Sequence, residues 1–352
     1  MVGSNKASNA VLAKARALYG RHLTGDDYRR LASCHSMPEL AQEIKKLPLY
    51  QGALDGVNPT FARRSQLEAQ LRQSIFEQYG SLCRFDMSAG SDLYRYFVLC
   101  CDLDEITVCL RCLDAGNPGD YLYRLPEFLQ QKSMVDLYQL PKVSSAEDLL
   151  NALKGTPYYK VLLPLRQADP GKSLLMQAEP LMQDYRHSAL VSLVPKAKRG
   201  RISTSQPGVR EYIQLDCDVT ALSNAIRLKH IHATPAQIDK AARRDMSALS
   251  AAQWEKLLDC EDMESFLQQL KKTVYGPVLE KYVDGYFKQR MMCYQYDWCR
   301  KWLRFSTDPT MVMLCYVYLA RCEVTNLNRI IEGVHYGMPA DDIMHLLIGC
   351  EA

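Results

Sequence analysis

Four cysteines that lie close together are the residues whose types and spacing most suggest chemistry. The stretch "LCCDLDEITVCLRCLDAG" (99–116) contains Cys100, Cys101, Cys109 and Cys112, and the last two form a C-x-x-C. Such a pair occurs in zinc sites and in redox-active dithiols. A zinc ion needs a complete tetrahedral set of deprotonated ligands, and this pair offers at best two. Its meaning therefore depends on the elements that position it.

The composition of the whole chain limits the classes of function. A chain of 352 residues is expected to form two or three domains. Lys plus Arg number 43 and Asp plus Glu number 40, and the resulting net charge of +3 argues against a dedicated nucleic-acid binder. The cysteine count of 13 is odd and no apolar signal segment opens the sequence, so we expect reduced thiols in a cytosolic protein. The longest apolar run, residues 311–320, is about half of what a membrane-spanning helix needs.

Most of the chain has the three- and four-residue apolar spacing of helices, and one helical pattern occurs three times. "CDLDEITVCLRCL" from Cys101, "CDVTALSNAIRLK" from Cys217 and "CEVTNLNRIIEGV" from Cys322 each place an acid directly after the cysteine. Aliphatic residues then recur at i, i+3 and i+7, which marks one face of a helix. The copies are spaced at intervals of about 110 residues. Their shared acids are Asp102, Asp218 and Glu323.

A second pattern also occurs three times in the same chain order, in residues 36–51, 145–160 and 262–277. Each copy has a good N-cap residue, two apolar positions four residues apart, a lysine near the helix end, a proline and a tyrosine. In the first two copies, an acid three residues after the cap predicts a capping box. The residues that align without gaps are Ser36, Ser145 and Asp262; Leu40, Leu149 and Phe266; Ile44, Leu153 and Leu270; Lys45, Lys154 and Lys271. Each helix then meets a proline, at Pro48, Pro157 or Pro277, with a tyrosine beside it, at Tyr50, at Tyr158 and Tyr159, or at Tyr275.

A third and weaker element follows the second in each copy. Glu68, Glu179 and Glu280 each precede an apolar residue by three positions, at Leu71, Met182 and Val283. Three elements in one order, three times over, predict an all-α protein with a pseudo-threefold internal repeat. We predict three similar helical lobes, at residues 1–117, 118–233 and 234–352.

The repeat bears directly on the cysteines. In the other two copies the C-x-x-C positions hold apolar residues or glycine: Ala225 and Ile330 for Cys109, and Leu228 and Gly333 for Cys112. A metal ligand is not expected where its counterparts are apolar, so we interpret these cysteines as small buried hydrophobes. We find no pair of nucleophile and base and no Gly-rich nucleotide cradle. The sequence therefore predicts no catalytic residue, no cofactor site and no metal site.

The shared acids interrupt apolar stripes of the predicted helices. Asp102 lies between Val98 and Ile106 at four-residue steps, and Glu323 occupies the same kind of position in its own stripe. Such an acid is either paired with a base or placed at the edge of the stripe, and we favour the edge. A catalytic role is not expected, because three equivalent copies would have to be three sites.

Three other motifs have simpler interpretations. "DPGKS" (169–173) ends like a phosphate-binding loop, but Arg166 stands where its first glycine is required. The histidines of "KHIH" (229–232) are two residues apart and would point to different sides of a helix. The basic segment 195–208 is interpreted as a solvated loop, with contact to an acidic partner or to lipid headgroups as the minor alternative.

The order of these elements carries a resemblance to a known family. The chain begins with "NAVLAKARALYGRHLTGDDYRRLA", continues with the two sets of repeated helices and ends with "CEVTNLNRIIEGVHYGMPADDIMHLLIG". It resembles the C subunit of the archaeal and bacterial A/V-type rotary ATPases, which is the counterpart of the d subunit of vacuolar ATPases. The stretch from Glu323 through Asn326 and Leu327 to Ile331 is the most telling part. The chain departs from the family pattern at Asn328, where many members have an arginine.

The resemblance implies an all-helical funnel of three lobes that performs no chemistry. Such a protein lies on the cytoplasmic face of the membrane, is attached peripherally through its complex, and couples the D and F subunits of the central stalk to the membrane rotor ring. It would then act in ion transport linked to ATP hydrolysis or synthesis. No nucleic acid and no small-molecule substrate are expected as partners.

Two alternatives stay open from the residues alone. An independent helical-repeat scaffold is the first, although solenoid repeats are usually 20–50 residues long. An enzyme is the second, and nucleotide turnover by the isolated chain would favour it. Copurification with a rotor ring would separate the coupling role from both. The sequence does not distinguish proton from sodium coupling, or synthesis from hydrolysis.

Overall fold

The described part of the molecule is built from helices and contains no β-strand. The computed structural model describes residues 2–84, 90–124, 126–193, 207–241, 246–281 and 286–350. The all-α class predicted from the sequence is confirmed for these residues. Within them, no helix is both long enough and apolar enough to cross a membrane.

The α-helices vary from single short turns to rods of more than twenty residues. In chain order they are α1 Val2–Tyr19, α2 Gly25–Ala32, α3 Met37–Lys45, α4 Arg64–Cys83, α5 Gly90–Asp114, α6 Ala146–Ala152, α7 Pro157–Leu162, α8 Leu174–Ser192, α9 Pro207–His230, α10 Pro235–Ala241, α11 Ala251–Leu258, α12 Met263–Lys271, α13 Gly276–Lys281, α14 Phe287–Phe305, α15 Pro309–His335 and α16 Ala340–His345. Short 3₁₀ turns connect several of them, at Gly52–Leu54, Pro59–Phe61, Pro118–Arg124, Glu127–Leu129, Leu140–Lys142 and Leu163–Gln167.

The three predicted N-caps are present. The side chains of Ser36, Ser145 and Asp262 accept hydrogen bonds from the backbone N–H three residues later, at the starts of α3, α6 and α12. These bonds satisfy N–H groups that have no partner inside the helix. The apolar positions that follow are fully buried in all three helices, as the pattern predicts: Leu40, Ile44, Leu149, Leu153, Phe266 and Leu270.

The capping boxes predicted for α3 and α6 are wrong in one detail. The carboxylate of Glu39 accepts from the backbone N–H of His35, one residue before the cap, at 2.9 Å. Asp148 accepts in the same way from the backbone N–H of Ser144, and the hydroxyl of Ser144 also donates to it at 2.6 Å. Its carboxylate therefore binds the residue before the cap and not the cap itself. Reciprocal boxes occur instead at α2, between Thr24 and Asp27, and at α11.

The chain forms two compact units. The first consists of residues 1–14 and 34–193, and the second of residues 15–33 and 194–352. In the first unit the long helix α5 packs against α4 and α8, with Ile106 and Leu110 fully buried. In the second, the long helix α15 packs against α14, α9, α2 and α16. The three-lobe boundaries stay a prediction.

Most residues of helix α15 are buried in the second unit. It begins at a proline in its first turn, where the missing N–H costs nothing, and Asp308 caps it by accepting from Thr310 and Met311. Leu327 and Ile331 are fully buried, as the repeat predicts. Two polar residues, Glu323 and Asn326, are buried among these apolar residues and need internal partners.

Candidate functional site

The carboxylate of Asp102 lies in the middle of α5 with none of its side chain exposed. Its Oδ2 atom accepts a hydrogen bond from the backbone N–H of Met134 at 3.0 Å and another from the hydroxyl of Tyr158 at 2.8 Å. Two elements that the sequence pattern identified separately, the acid and the tyrosine, therefore meet in one buried contact.

Asp218 repeats this contact in the second unit, on α9. Its carboxylate is also fully buried and accepts from the backbone N–H of Ala248 at 2.8 Å and from the hydroxyl of Tyr275 at 2.6 Å. The hydroxyl of Ser247 donates to it at 2.5 Å. Both aspartates therefore accept hydrogen bonds from a backbone N–H and from a tyrosine hydroxyl, and in both cases these donors lie C-terminal to the acid in the sequence.

The expectation that the shared acids lie at the edge of their stripes is wrong. Asp102 and Asp218 are fully buried and Glu323 is 3 % exposed. The alternative, a paired base, describes only Glu323, because the partners of both aspartates are neutral. Backbone N–H and hydroxyl groups can satisfy a buried carboxylate without a counter-charge, which periodicity alone does not reveal.

Glu323 on α15 is bound by the segment that joins α1 to α2. Its Oε2 atom accepts from the backbone N–H of Leu23 at 2.8 Å and lies 2.9 Å from Nδ1 of His22. The imidazole packs edge-on against the ring of Tyr316. In this third contact His22 takes the position that Ser247 has beside Asp218. The acid is a glutamate, whose side chain is longer than that of an aspartate.

Burial is the main influence on the two aspartates. It raises the pKa of Asp102, and the nearby hydroxyl of Ser133 and the hydrogen bonds from Tyr158 and Met134 act against that rise. Both hydrogen bonds go to Oδ2, and the buried Oδ1 atom has no hydrogen-bond partner among the described residues. It raises the pKa of Asp218 in the same way, opposed by Ser247, Tyr275 and Ala248. Burial and the neighbouring carboxyls also raise the pKa of both tyrosines far above neutrality, so their hydroxyls stay protonated and donate.

Asn326 holds the C-terminal segment onto α15. Its side-chain Nδ2 donates to the carbonyl of Ile348 at 2.9 Å, and its Oδ1 accepts from the N–H of the same residue at 2.8 Å. The guanidinium of Arg329 donates to the carbonyl of Leu346. Asn326 and Arg329, which follow Glu323 on α15, therefore bind the C-terminal segment at Leu346 and Ile348.

The family model described as ATP synthase (C/AC39) subunit matches residues 11–346, which is nearly the whole chain. The chain belongs to the ATP synthase C/AC39 family. The matched range includes the three buried acids, their donors and Asn326.

Curated members of the C/AC39 family resemble the chain over most of its length. It is 20 % identical to the C subunit of the A-type ATP synthase of Archaeoglobus fulgidus, over 98 % of this chain and 97 % of the relative. It is 22 % identical to the C subunit of the A-type ATP synthase of Methanosphaera stadtmanae, over 96 % of this chain and 86 % of the relative. The same name belongs to a relative in Methanocaldococcus jannaschii, 22 % identical over 80 % of this chain and 71 % of the relative.

The C-x-x-C of this C/AC39 family member lies inside the core of the first unit. Cys109 is buried, its thiol donates to the carbonyl of Leu140, and burial raises its pKa to about 12. Cys112 is buried as well, so the burial expected of both cysteines is confirmed. Among the described residues, no group of three or more His, Cys, Asp or Glu side chains is placed to hold a metal ion.

The "DPGKS" motif has a local structural role at the start of α8. The hydroxyl of Ser173 donates to the carboxylate of Asp114, which also accepts from the N–H groups of Leu174 and Leu175 at 3.0 and 3.1 Å. A side-chain carboxylate thus occupies the helix N-terminus that a phosphate would need.

The other motifs are placed differently. "KHIH" lies at the end of α9, where Lys229 donates to the carbonyls of Leu258 and Cys260. The basic segment 195–208 lies outside the described residues except for its last two positions. Val283, from the third repeated element, lies outside them as well.

Two features of the buried acid contacts are not marked by the sequence patterns. One is Glu105, a further buried acid on α5 that lies 2.5 Å from the guanidinium of Arg72 and accepts from the hydroxyl of Tyr121 at 2.9 Å. The other is the donor segment itself. Ser133 and Ser247 each accept from the backbone N–H two residues later, so "SMV" (133–135) and "SAL" (247–249) form the same turn. The two serines, each located between an acid helix and the next capped helix, are the sequence signal that could have predicted this shared turn.

Proposed function

We propose that this chain is the non-catalytic central-rotor subunit of a V/A-type rotary ATPase. It couples the D and F subunits of the central stalk to the membrane rotor ring, on the cytoplasmic face of the membrane. In this role it transmits torque for ion transport linked to ATP hydrolysis or synthesis and performs no chemistry itself.

The match of residues 11–346 to the C/AC39 family carries this proposal. Relatives named as the C subunit of A-type ATP synthases cover most of the chain, so the role is not transferred from a shared fragment. The family places the chain in an ATP synthase complex, and the finer assignment to stalk and ring rests on the resemblance. Peripheral attachment is consistent with described helices that are too short or too polar to span a membrane.

The recurrent acid contact supports the proposed threefold architecture. Asp102, Asp218 and Glu323 stand at one position of the sequence repeat, and each accepts a backbone N–H from a segment between two helices. For the first two, that segment follows the acid's own helix in the chain. For Glu323 it follows α1, as it would if the N-terminal residues completed the last lobe. We propose on this basis a funnel of three similar lobes.

The test is reconstitution of the rotary complex in vesicles with and without this chain. The catalytic head should hydrolyse ATP in both preparations, because its sites lie on other subunits. Ion uptake should occur only when the chain is present, and adding purified wild-type protein to depleted vesicles should restore it.

Two results would contradict the proposal. Normal ion uptake by complexes that lack the chain would show that it does not couple stalk to ring. Failure of the purified chain to bind either a detergent-solubilised rotor ring or a D–F stalk complex would reopen the independent helical scaffold.

A further inference from the structure

A pocket of about 630 Å³ lies in the second compact unit, between the end of α1, the start of α2, helix α14 and the C-terminal residues 349 and 350. Its volume is within the range of pockets that hold small molecules, about 300–1,000 Å³. The coupling role proposed above gives this pocket no task.

Three arginines line the pocket, and no Asp or Glu is among its lining residues in the described part of the chain. Arg16 is fixed in place, since its Nε and Nη2 atoms donate to the carbonyls of Leu303 and Ser306 at 3.0 and 2.6 Å. Those carbonyls belong to the end of α14, where the helix dipole favours a cation. A positively charged wall therefore exists before any ligand arrives.

The other two arginines differ in how far they are neutralised. Arg300 forms an ion pair with Asp297 at 2.9 Å, and its guanidinium lies over the ring of Tyr296 at 6.0 Å from the centroid. Arg304 is exposed and, in the part of the chain that the structure describes, forms no ion pair. Of the three guanidinium groups, that of Arg304 is therefore the one best able to bind a ligand.

Two tyrosine hydroxyls lie in the same pocket as the arginines. Tyr19 and Tyr296 line the pocket, and each influences the pKa of the other's hydroxyl. Burial raises the pKa of Tyr19, and Tyr296 and the charges of Arg300 and Arg304 act against that rise, while the carboxylate of Glu323 adds to it. Both guanidinium groups therefore lie close enough to act on one hydroxyl, and on a ligand beside it.

The floor of the pocket is held by close packing. Gly349 has a φ of 70°, and a Cβ atom there would lie 2.4 Å from the ring of Tyr296. Only glycine fits both the backbone and the ring at this position. Asn326 fixes the preceding residue, Ile348, through two hydrogen bonds. Such rigidity lowers the entropic cost of binding a ligand.

We propose that this pocket binds a small polyanion, a ligand with at least two negative charges on phosphate or carboxylate groups. Guanidinium groups bind both kinds of oxyanion through paired N–H donors, and three of them around one space match more than a single charge. The inference is independent of the coupling role, because it rests only on the second unit.

The experiment is calorimetric titration of the full-length chain at pH 7 and low ionic strength. The probes are pyrophosphate for the phosphate class, citrate for the carboxylate class, and acetate at matched ionic strength as a monoanion. We expect saturable binding of pyrophosphate or citrate to one site, which identifies the class, and no saturation with acetate.

Variants locate the binding. Arg304→Ala and Arg300→Ala should each weaken it at least tenfold, and Arg304→Lys, which keeps the charge but loses the paired donors, should lie between. Arg95→Ala, at a side chain of α5 that is 81 % exposed, is the matched control and should change nothing. Circular dichroism of each variant checks that it is folded, which is expected of Arg304 because its side chain is exposed.

The proposal is overturned if neither polyanion saturates at millimolar concentration, or if acetate binds as tightly as they do. It is also overturned if Arg95→Ala weakens binding as much as Arg304→Ala, since the effect would then reflect net charge and not this pocket.

Discussion

A tyrosine hydroxyl donates to each of two buried aspartates, and the two contacts can be tested in parallel. Tyr158→Phe and Tyr275→Phe remove one donor each and leave the ring packing in place. A hydrogen bond to a charged group contributes about 1.5–3 kcal/mol, so each variant should lose a free energy of unfolding in that range at pH 7. Urea titration measures it.

Tyr138→Phe is the control for this pair, because the Tyr138 side chain is 47 % exposed. Its stability should stay within about 0.5 kcal/mol of the wild type. A loss at only one of the two buried tyrosines would show that the contacts of Asp102 and Asp218 are not energetically equivalent.

The raised pKa of Asp218 predicts a pH dependence with a definite sign. Because the folded pKa lies above the unfolded value of about 3.8, the native state holds more protons between the two. This group's contribution to stability is therefore fully present below the unfolded pKa and is lost as pH rises through the folded pKa.

Asp218→Asn removes that dependence. The unfolding free energy of the variant minus that of the wild type should therefore increase as pH rises from the unfolded pKa of about 3.8 through the raised folded pKa. Asp92→Asn, at a residue whose side chain is 64 % exposed, is the matched control and should show no such trend. A difference that decreases over the same window would mean that hydrogen bonding outweighs burial at this carboxyl.

The cysteines are expected to carry no metal. The thiol of Cys109 is engaged by a backbone carbonyl, and burial holds its pKa near 12, whereas a zinc ligand must be a thiolate. Protein purified without chelator should contain no stoichiometric zinc by mass spectrometry of metals. One zinc per chain, lost in the double variant Cys109→Ser, Cys112→Ser, is the contrary result.

At this scale the sequence predicted which residues recur but not what they contact. The alignment identified Asp102 with Asp218 and Tyr158 with Tyr275, and the structure brings each acid to its tyrosine. The burial of the acids was predicted wrongly. Their donors include backbone N–H groups, which every residue except proline possesses and no sequence pattern marks.

At the scale of helices, the packing of α16 onto α15 depends on one glycine. A Cβ atom at Gly333 would lie 2.5 Å from Cγ1 of Ile343, which is fully buried. Alanine in a helix normally adds about 0.5–1 kcal/mol of stability over glycine, but here the overlap should reverse the sign. We expect Gly333→Ala to lose roughly 1–3 kcal/mol of unfolding free energy.

A second substitution separates the overlap from the helix propensity. Ile343→Ala alone should cost roughly 2–5 kcal/mol because Ile343 is fully buried. In the Ile343→Ala background, Gly333→Ala should cost less than it does in the wild type, since the atoms that the new methyl group meets are gone. Gly52→Ala, where a Cβ atom meets nothing within 4 Å, serves as the matched control. Equal losses with and without Ile343 would show that the contact does not limit packing.

Helix positions were the most predictable level of the fold. The N-caps at Ser36, Ser145 and Asp262 were correct because a side-chain acceptor and an apolar stripe are both local signals. The capping boxes at Glu39 and Asp148 were not, because a neighbouring N–H competes for the same carboxylate. The pocket beside α14 was not foreseeable, since its arginines come from helices at opposite ends of the chain.

At the scale of the whole chain, residues 15–33 belong to the same compact unit as the C-terminal residues. Glu323 and Asn326, three residues apart on α15, bind the N-terminal segment and the C-terminal segment respectively. A buried carboxylate that loses its partners is costly, so both segments depend on the same stretch of one helix.

The last prediction tests coupling through partial damage to this helix. Leu327 and Ile331 are fully buried on α15. Replacing both by alanine should cost roughly 2–5 kcal/mol per site. Since whole proteins are stable by only about 5–15 kcal/mol, the helix should detach or unfold without any change to the catalytic head.

If the chain couples stalk to ring as proposed, complexes rebuilt with the Leu327→Ala, Ile331→Ala chain should hydrolyse ATP while ion uptake into vesicles falls, because torque no longer passes through the damaged chain. Glu332→Ala, an exposed position on the same helix, is the matched control and should keep both activities. Hydrolysis and uptake that fall together would place the defect in assembly of the head. Uptake that survives in a complex shown to contain the damaged chain would mean that torque passes by another route.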